Sequence, residues 1–418
     1  MISDRKYTFE LISIGSLFFI FGFITWLNST LIPFLKITCE LTNFQAYWVT
    51  FAFYISYFVM AIPSGWLLYR IGFRRGIMLG LLIMGAGTLI FIPAALTRSY
   101  GYFLVGLFAQ GIGLALLQTA VNPYITILGP MESAARRISI MGLCNKLAGI
   151  ISPYILGSIV LHNITLWVQR IDTASAGQKA GMLDMLSFRI IPPYVVMAVV
   201  LIALALVFGR LRLAEINPEN TDKVNPLDIF KYPQIILGFL AIFFYVGAEV
   251  VAADTLILHG HAQGISMETA RIFPSFTLLA MMLGYIGGIA LIPKYLSQQT
   301  ALAISAILGL CFSLCAILFN GWVSVIFVMA LGFANAIMWP AIWPLAINGT
   351  GNLVKLASSI LIMGILGGAL IPLGYGWLAD VLGSKTAYLI LLPCYGYILF
   401  FAIRPFGESS VVPEKVSA

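Results

Sequence analysis

The sequence predicts an all-α membrane protein of twelve transmembrane helices in two six-helix halves. Three observations predict it. Of 418 residues, 61% are apolar or aromatic and only 9% are charged, against about 45–50% and about 25% in a soluble domain. Twelve apolar runs reach the ~20 residues that a helix needs to cross a ~30 Å hydrocarbon core. A polar, turn-rich interval follows the sixth run. With a mean hydropathy of +0.99, the chain has more apolar surface than any water-soluble packing can hide, which excludes a soluble enzyme. The 13% aromatic content is the opposite of a disordered composition. The net charge of +7 forms no basic patch, so no nucleic acid is expected as a partner. In a membrane protein such a surplus reports orientation.

Taken in order, the runs fall at 10–34, 46–69, 75–96, 101–128, 138–161, 189–210, 234–257, 271–293, 300–319, 322–346, 357–380 and 386–404. Each is near-continuous and too long for a strand, which argues for helices over a barrel of alternating segments. The first lacks a small-residue cleavage site after a short apolar core, so it reads as a span and not as a removed signal. The interval 162–188 is longer than a tight turn and has room for a short helix outside the membrane. The interval 211–233 carries Asn217-Pro218-Glu219-Asn220 and Asn225-Pro226. It divides an N-terminal half, 1–210, from a C-terminal half, 234–418, and reads as a cytoplasmic linker between parallel repeats.

Charge gives the sidedness. With the N-terminus inside, Lys36, Arg98, Arg170, Lys179, Arg189, Arg271 and Lys385 fall outside, Lys146 falls within a span, and the other 15 of the 23 basic residues fall inside. The positive-inside rule then puts both termini in the cytoplasm, as an even number of spans requires. The five cysteines have no disulfide spacing and read as small packing residues. His259 and His261 stand at i, i+2 in an outer loop without acidic support. There is no metal-ligand cluster and no Gly-rich phosphate loop. Neither catalysis, a cofactor nor ATP-driven transport is expected.

Between the second and third spans stand Gly65, Tyr69-Arg70, Gly72 and Arg74-Arg75. Their spacing resembles the cytoplasmic loop G-x-x-x-D-R-x-G-x-R-R of the major facilitator superfamily. Glycines there let two helices approach, and the arginines bond helix ends, so Gly65, Arg70, Gly72, Arg74 and Arg75 are candidates for a conformational gate. Tyr69 replaces the family's Asp, so the usual charge relay does not carry over. Asn28 with Pro33, Leu41 to Ala46, Gln118-Thr119-Ala120, Asn122-Pro123-Tyr124 and Leu128-Gly129-Pro130 resemble the fucose/proton symporter branch. The stretches Ser139 to Lys146, Tyr245 to Val250, and Asn335 to Pro344 are similar to bacterial permeases for N-acetylglucosamine and for glucose/galactose. The resemblance covers essentially the whole chain. It implies the major facilitator fold and a monosaccharide substrate, with fucose possible within the class, moved by alternating access. It also implies coupling to H+ or Na+ and a place in the inner membrane; a monomer is expected.

The residues add their own reading. Glu249 and Asp254 are the acids well inside a span, and Lys146 the base. A charge at mid-depth costs ~2.5–3.5 kcal/mol on insertion scales and marks a functional position by default. Glu249 lies midway along span seven with Tyr245 one turn before it. It is either a coupling carboxylate or the structural partner of Lys146 across the two halves. Asp254, near the outer end, sits ~140° further round the helix; a charge there, near water, is cheap. Lys146 either bonds sugar hydroxyls or holds a carboxylate ionised. Gln118 and Asn122, at i, i+4, present two amides on one face; Asn28, Ser29 and Asn145 add polar groups. Amides donate and accept, as hydroxyls do, although interhelical bonding is the simpler use. Asn335, Trp339 and Trp343 form a stripe that suits the apolar face of a pyranose, or packs against neighbours. Trp26 is a lesser candidate. Pro340 and Pro344 interrupt the helix ladder there.

One departure matters. In the fucose/proton branch two carboxylates implicated in coupling occupy the positions of Ser29 and Gln118, which do not titrate. Coupling therefore moves elsewhere, with the Lys146–Glu249 pair preferred, or uses Na+, or is absent in a uniporter. An efflux permease for amphipathic compounds on the same fold is the alternative, disfavoured by the amide set.

Overall fold

The computed structural model describes residues 4–127, 134–211, 232–292, 294–348, 350 and 353–404. Most of the expected linker, 212–231, lies outside these residues. Among the described residues there are helices and turns and no strand. Twelve helical stretches are long and apolar enough to cross a membrane: Glu10–Thr38, Asn43–Ile71, Phe73–Leu96, Tyr100–Val121, Ile140–Thr173, Ala176–Arg210, Pro233–Asp254, Met267–Leu291, Gln298–Leu318, Gly321–Ile347, Ala357–Leu382 and Thr386–Ile403. These are spans one to twelve, and each overlaps its expected run. The interval 162–188 holds two helices, Ile164–Thr173 and Ala176–Phe188.

Several spans are broken, and proline explains one break. Pro340 has no N–H to give the carbonyl of Ala336 and its ring crowds that turn. The helix Gly321–Asn335 accordingly stops, and a second, Met338–Ile347, begins three residues later. Pro344 frees the carbonyl of Pro340 in the same way, and Gln298 Nε2 donates to that oxygen at 2.7 Å. Span one is also two helices, Asp4–Trp26 and Asn28–Thr38, joined at Leu27. Span seven ends at Asp254, and a separate short helix, Leu256–Ala262, follows it. Broken spans are where transporters build sites, because the freed backbone groups face a cavity and not lipid.

Spans one to six pack mainly among themselves, as one on five, two on four, three on four and three on six. In the rest, seven packs on eleven and twelve, ten on eight and nine, and nine on twelve. The most extensive contacts between the sets are two on eleven and five on eight. Large apolar side chains such as Val196, Val199, Leu283 and Ile286 point outward. That is the reverse of a soluble surface and is what lipid demands.

The expectation that His259 lies in an outer loop fails. The helix after Thr255 buries it completely, edge-on to Tyr388. Ser324 Oγ donates to the Ala316 carbonyl at 2.7 Å, so its proton is committed. His259 Nε2 therefore carries the hydrogen and donates to Ser324 Oγ at 2.9 Å. Burial, then Lys385, hold the imidazole pKa down to about 4, from an ordinary 6.5. The unfolded chain thus binds this proton more tightly than the fold does. The stability contributed by the neutral ring is fully present above pH 6.5 and is lost as pH falls towards 4. His259→Gln should flatten the fall in melting temperature of the detergent-purified protein across that window. An unchanged slope would refute this role.

Candidate functional site

Lys146 and Glu249 are brought together from spans five and seven. Lys146 Nζ donates to Glu249 Oε1 at 2.8 Å, with the two side chains 9% and 12% exposed. Two glycines make the approach possible. A Cβ at Gly22 would fall 2.0 Å from the Asn145 carbonyl oxygen, so spans one and five touch backbone to backbone beside Lys146. A Cβ at Gly149 would fall 2.4 Å from the Trp26 ring. With both bare, Trp26 slides under Lys146, whose ammonium sits 4.7 Å from the ring centroid. Such a cation–π contact contributes ~0.5–2 kcal/mol.

On the far side of the pair, Tyr245 stands one helical turn before Glu249, within reach of its carboxylate. Its ring lies 6.3 Å from that of Trp339, which stacks on Trp343 at 5.4 Å. An ion pair thus sits between an indole on one side and an aromatic row on the other. The ammonium has donors to spare and the carboxylate has spare lone pairs.

The other expected residues divide. Asn145 is half-buried and donates to the Phe18 carbonyl at 3.4 Å. Ser29 is buried and donates to the Trp26 carbonyl at 2.8 Å, which steadies the bend at Leu27. Asn28, just past that bend, is buried, and its Nδ2 has no partner among the described residues. Asn335 is fully buried and accepts from Tyr395 at 2.9 Å, so it braces spans ten and twelve. Gln118 is half-buried on span four. The side chain of Asn122 lies outside the described residues.

Asp254 corrects an expectation. It is not near water but 1% exposed, and neither carboxylate oxygen has a hydrogen-bond partner among the described residues. Two further charges escaped the sequence reading. Glu10 and Arg137 are each 2% exposed. They sit at the ends of apolar runs, where composition reads a charge as solvated; only tertiary packing buries them. Their signal in the sequence is at most their helical phase.

The gate residues lie at the end of span two. Gly72 has φ +77°, which requires glycine, and Arg70 stacks at 3.8 Å on Trp66. Gly65 and Arg75 are exposed and Arg74 is half-buried. At the opposite end, outer on the expected orientation, the two sets of spans are latched. Asp380 of span eleven accepts from the Asn43 backbone at 2.9 Å, Asn43 Nδ2 at 2.7 Å and the Phe44 backbone at 2.8 Å. Glu268 of span eight accepts from the Thr165 backbone at 2.7 Å and from the Thr165 hydroxyl. Each carboxylate thus meets the positive first turn of a helix across the divide.

A hydrogen bond to a charged group contributes ~1.5–3 kcal/mol, less where exposed. Asp380→Ala should therefore raise outside labelling of a cysteine placed at Leu41, in a cysteine-free background, by roughly tenfold. Labelling at the parental rate would mean that the latch carries no weight.

With this geometry in view, comparison with known proteins is informative. The chain is 34% identical to the "Glucose/galactose transporter" of Brucella abortus biovar 1 over 408 residues, covering 96% of this chain and 95% of that one. It is 29% identical to the "L-fucose-proton symporter" of Escherichia coli strain K12 over 410 residues, covering 96% and 93%. It superposes on the crystal structure of a major facilitator transporter in the outward conformation with a TM-score of 0.72 at 28% identity, over 95% and 98% of the two chains. The model of the Major Facilitator Superfamily matches residues 14–372. With twelve spans packed as two sets that meet through spans two and eleven and spans five and eight, the chain belongs to the Major Facilitator Superfamily.

Proposed function

We propose that the protein is a secondary active transporter that imports a monosaccharide of the glucose/galactose, N-acetylglucosamine or fucose class by alternating access, coupled to H+ or Na+. The observation that carries this reading is the Lys146–Glu249 pair between Trp26 and the Tyr245–Trp339 row. A sugar hydroxyl entering between the two charges accepts from the ammonium and donates to the carboxylate. The apolar C–H face of the ring lies on indole. Asn145, Gln118, Asn122 and Asn28 supply further amides, and Asn335 holds the wall behind Trp339. Glu249 and Asp254 are the coupling carboxylates. Relatives transporting glucose, galactose and fucose support the substrate class.

In this reading 1–210 and 234–418 are the two moving halves, joined by a cytoplasmic linker at 211–233. The outer latches close one side of the cycle. Gly65, Arg70, Gly72, Arg74 and Arg75 work the inner gate. The protein acts as a monomer in the inner membrane with both termini in the cytoplasm.

Uptake of labelled glucose, galactose, N-acetylglucosamine and fucose into proteoliposomes, with imposed H+ or Na+ gradients, tests the reading. At least one sugar should accumulate, and the others should compete. Failure of every monosaccharide to move or to compete would overturn it. Trp339→Ala should raise KM about tenfold with little change in kcat, the mark of lost ground-state binding. Glu249→Gln leaves an ammonium without its counter-charge and should lower kcat/KM by at least tenfold; wild-type kinetics in that variant would remove the pair from the site.

A further inference from the structure

We propose that Asp254 is the proton-loading group of the cycle, and that the outer gate closes only over its protonated form. The proposal rests on the transport reading above and assigns the coupling ion within it.

Asp254 is sealed between the outer latch and the Lys146–Glu249 pair. On span two, Asn43 and Phe44 hold Asp380, and the next residues inward that stand near Asp254 are Tyr47 and Tyr54. On span seven, Glu249 lies five residues inward, ~7.5 Å along the axis. With the latch made, water does not reach the carboxyl, which is 1% exposed.

Nothing described there stabilises a negative charge. Both oxygens lack a hydrogen-bond partner among the described residues. Glu249 on the same helix adds like charge. The cations on neighbouring elements are engaged elsewhere: Lys146 on Glu249, Lys36 on Asn43, and Lys385 on Asn320. So are the other polar groups. Thr255 donates to the Val251 carbonyl, so Tyr388 donates to Thr255; Tyr375 donates to Ser384, Tyr395 to Asn335, and His259 to Ser324. Tyr285, from span eight, and Tyr47 and Tyr54 give it no hydrogen bond. Burying an ionised carboxylate without a partner is so costly that such a group takes a proton instead.

The step is a simple one. With the outer side open, the hydrated carboxylate takes a proton from external water and becomes the neutral acid, leaving the water one proton poorer. Asp380 and Glu268 then latch, and the proton is enclosed above the sugar. Glu249 stays paired with Lys146 and meets the sugar.

The test uses the full-length protein in proteoliposomes with D-galactose, D-glucose and L-fucose in turn. Wild type should accumulate a transported sugar under an inward proton gradient, and adding that sugar should alkalinise a weakly buffered external medium. Asp254→Asn should equilibrate the sugar without accumulating it and without the pH change. Asp254→Glu should recover the pH change. Accumulation by Asp254→Asn at the wild-type level, or wild-type accumulation driven by Na+ without proton uptake, would overturn the proposal. If wild type moves none of these sugars, the transport reading fails first, and the two failures are thereby distinguished. A readout free of transport guards against a variant that does not fold. In a Glu10→Gln background, which removes the other buried carboxyl without a hydrogen-bond partner among the described residues, the infrared band of a protonated carboxylic acid should persist at neutral pH. Its absence would overturn the proposal.

Discussion

The structure turns on one ion pair joining the two sets of spans. Lys146 and Glu249 are 103 residues apart, and each alone would be a charge in a solvent that cannot hydrate it. Together they offset that cost, and the offset operates only while spans five and seven face each other. The pair therefore ties the two sets of spans together. It also leaves donors and lone pairs unspent, which is what a polyhydroxyl ligand needs.

Close packing makes the pair possible. Gly22 and Gly149 let span one press on span five until Trp26 meets the ammonium. Spans one and ten are both interrupted, and Pro340 and Pro344 account for the interruption in span ten. Gln298, from span nine, satisfies one freed oxygen. The site is thus held by backbone contacts rather than by long flexible side chains.

The outer latches follow from similar electrostatics at a different depth. Asp380 and Glu268 each cap a short helix of the opposite set. A carboxylate at a helix start is favourable but modest, so such a latch holds and still releases. Beneath it, Asp254 has the opposite circumstances: it is buried, and its oxygens have no hydrogen-bond partner among the described residues. Carboxylates of one chemistry thus meet opposite surroundings.

The twelve spans were legible in composition, because hydrocarbon imposes a length and a hydropathy that no other solvent does. Lys146, Glu249 and Asp254 were legible too, since a charge in an apolar run stands out on any reading. The sequence also indicated the family, through Gly65 to Arg75 and the amide-bearing stretches. It did not reveal that Asp254 is sealed, that Glu10 and Arg137 are buried, or that His259 is in a core. Burial of a residue at the end of a run depends on which helix covers it. Nor did spacing along the chain tell that Trp26 faces Lys146, or that Asp380 reaches Asn43. Those pairs are 120 and 337 positions apart, and only the packing of whole spans decides which distant groups meet.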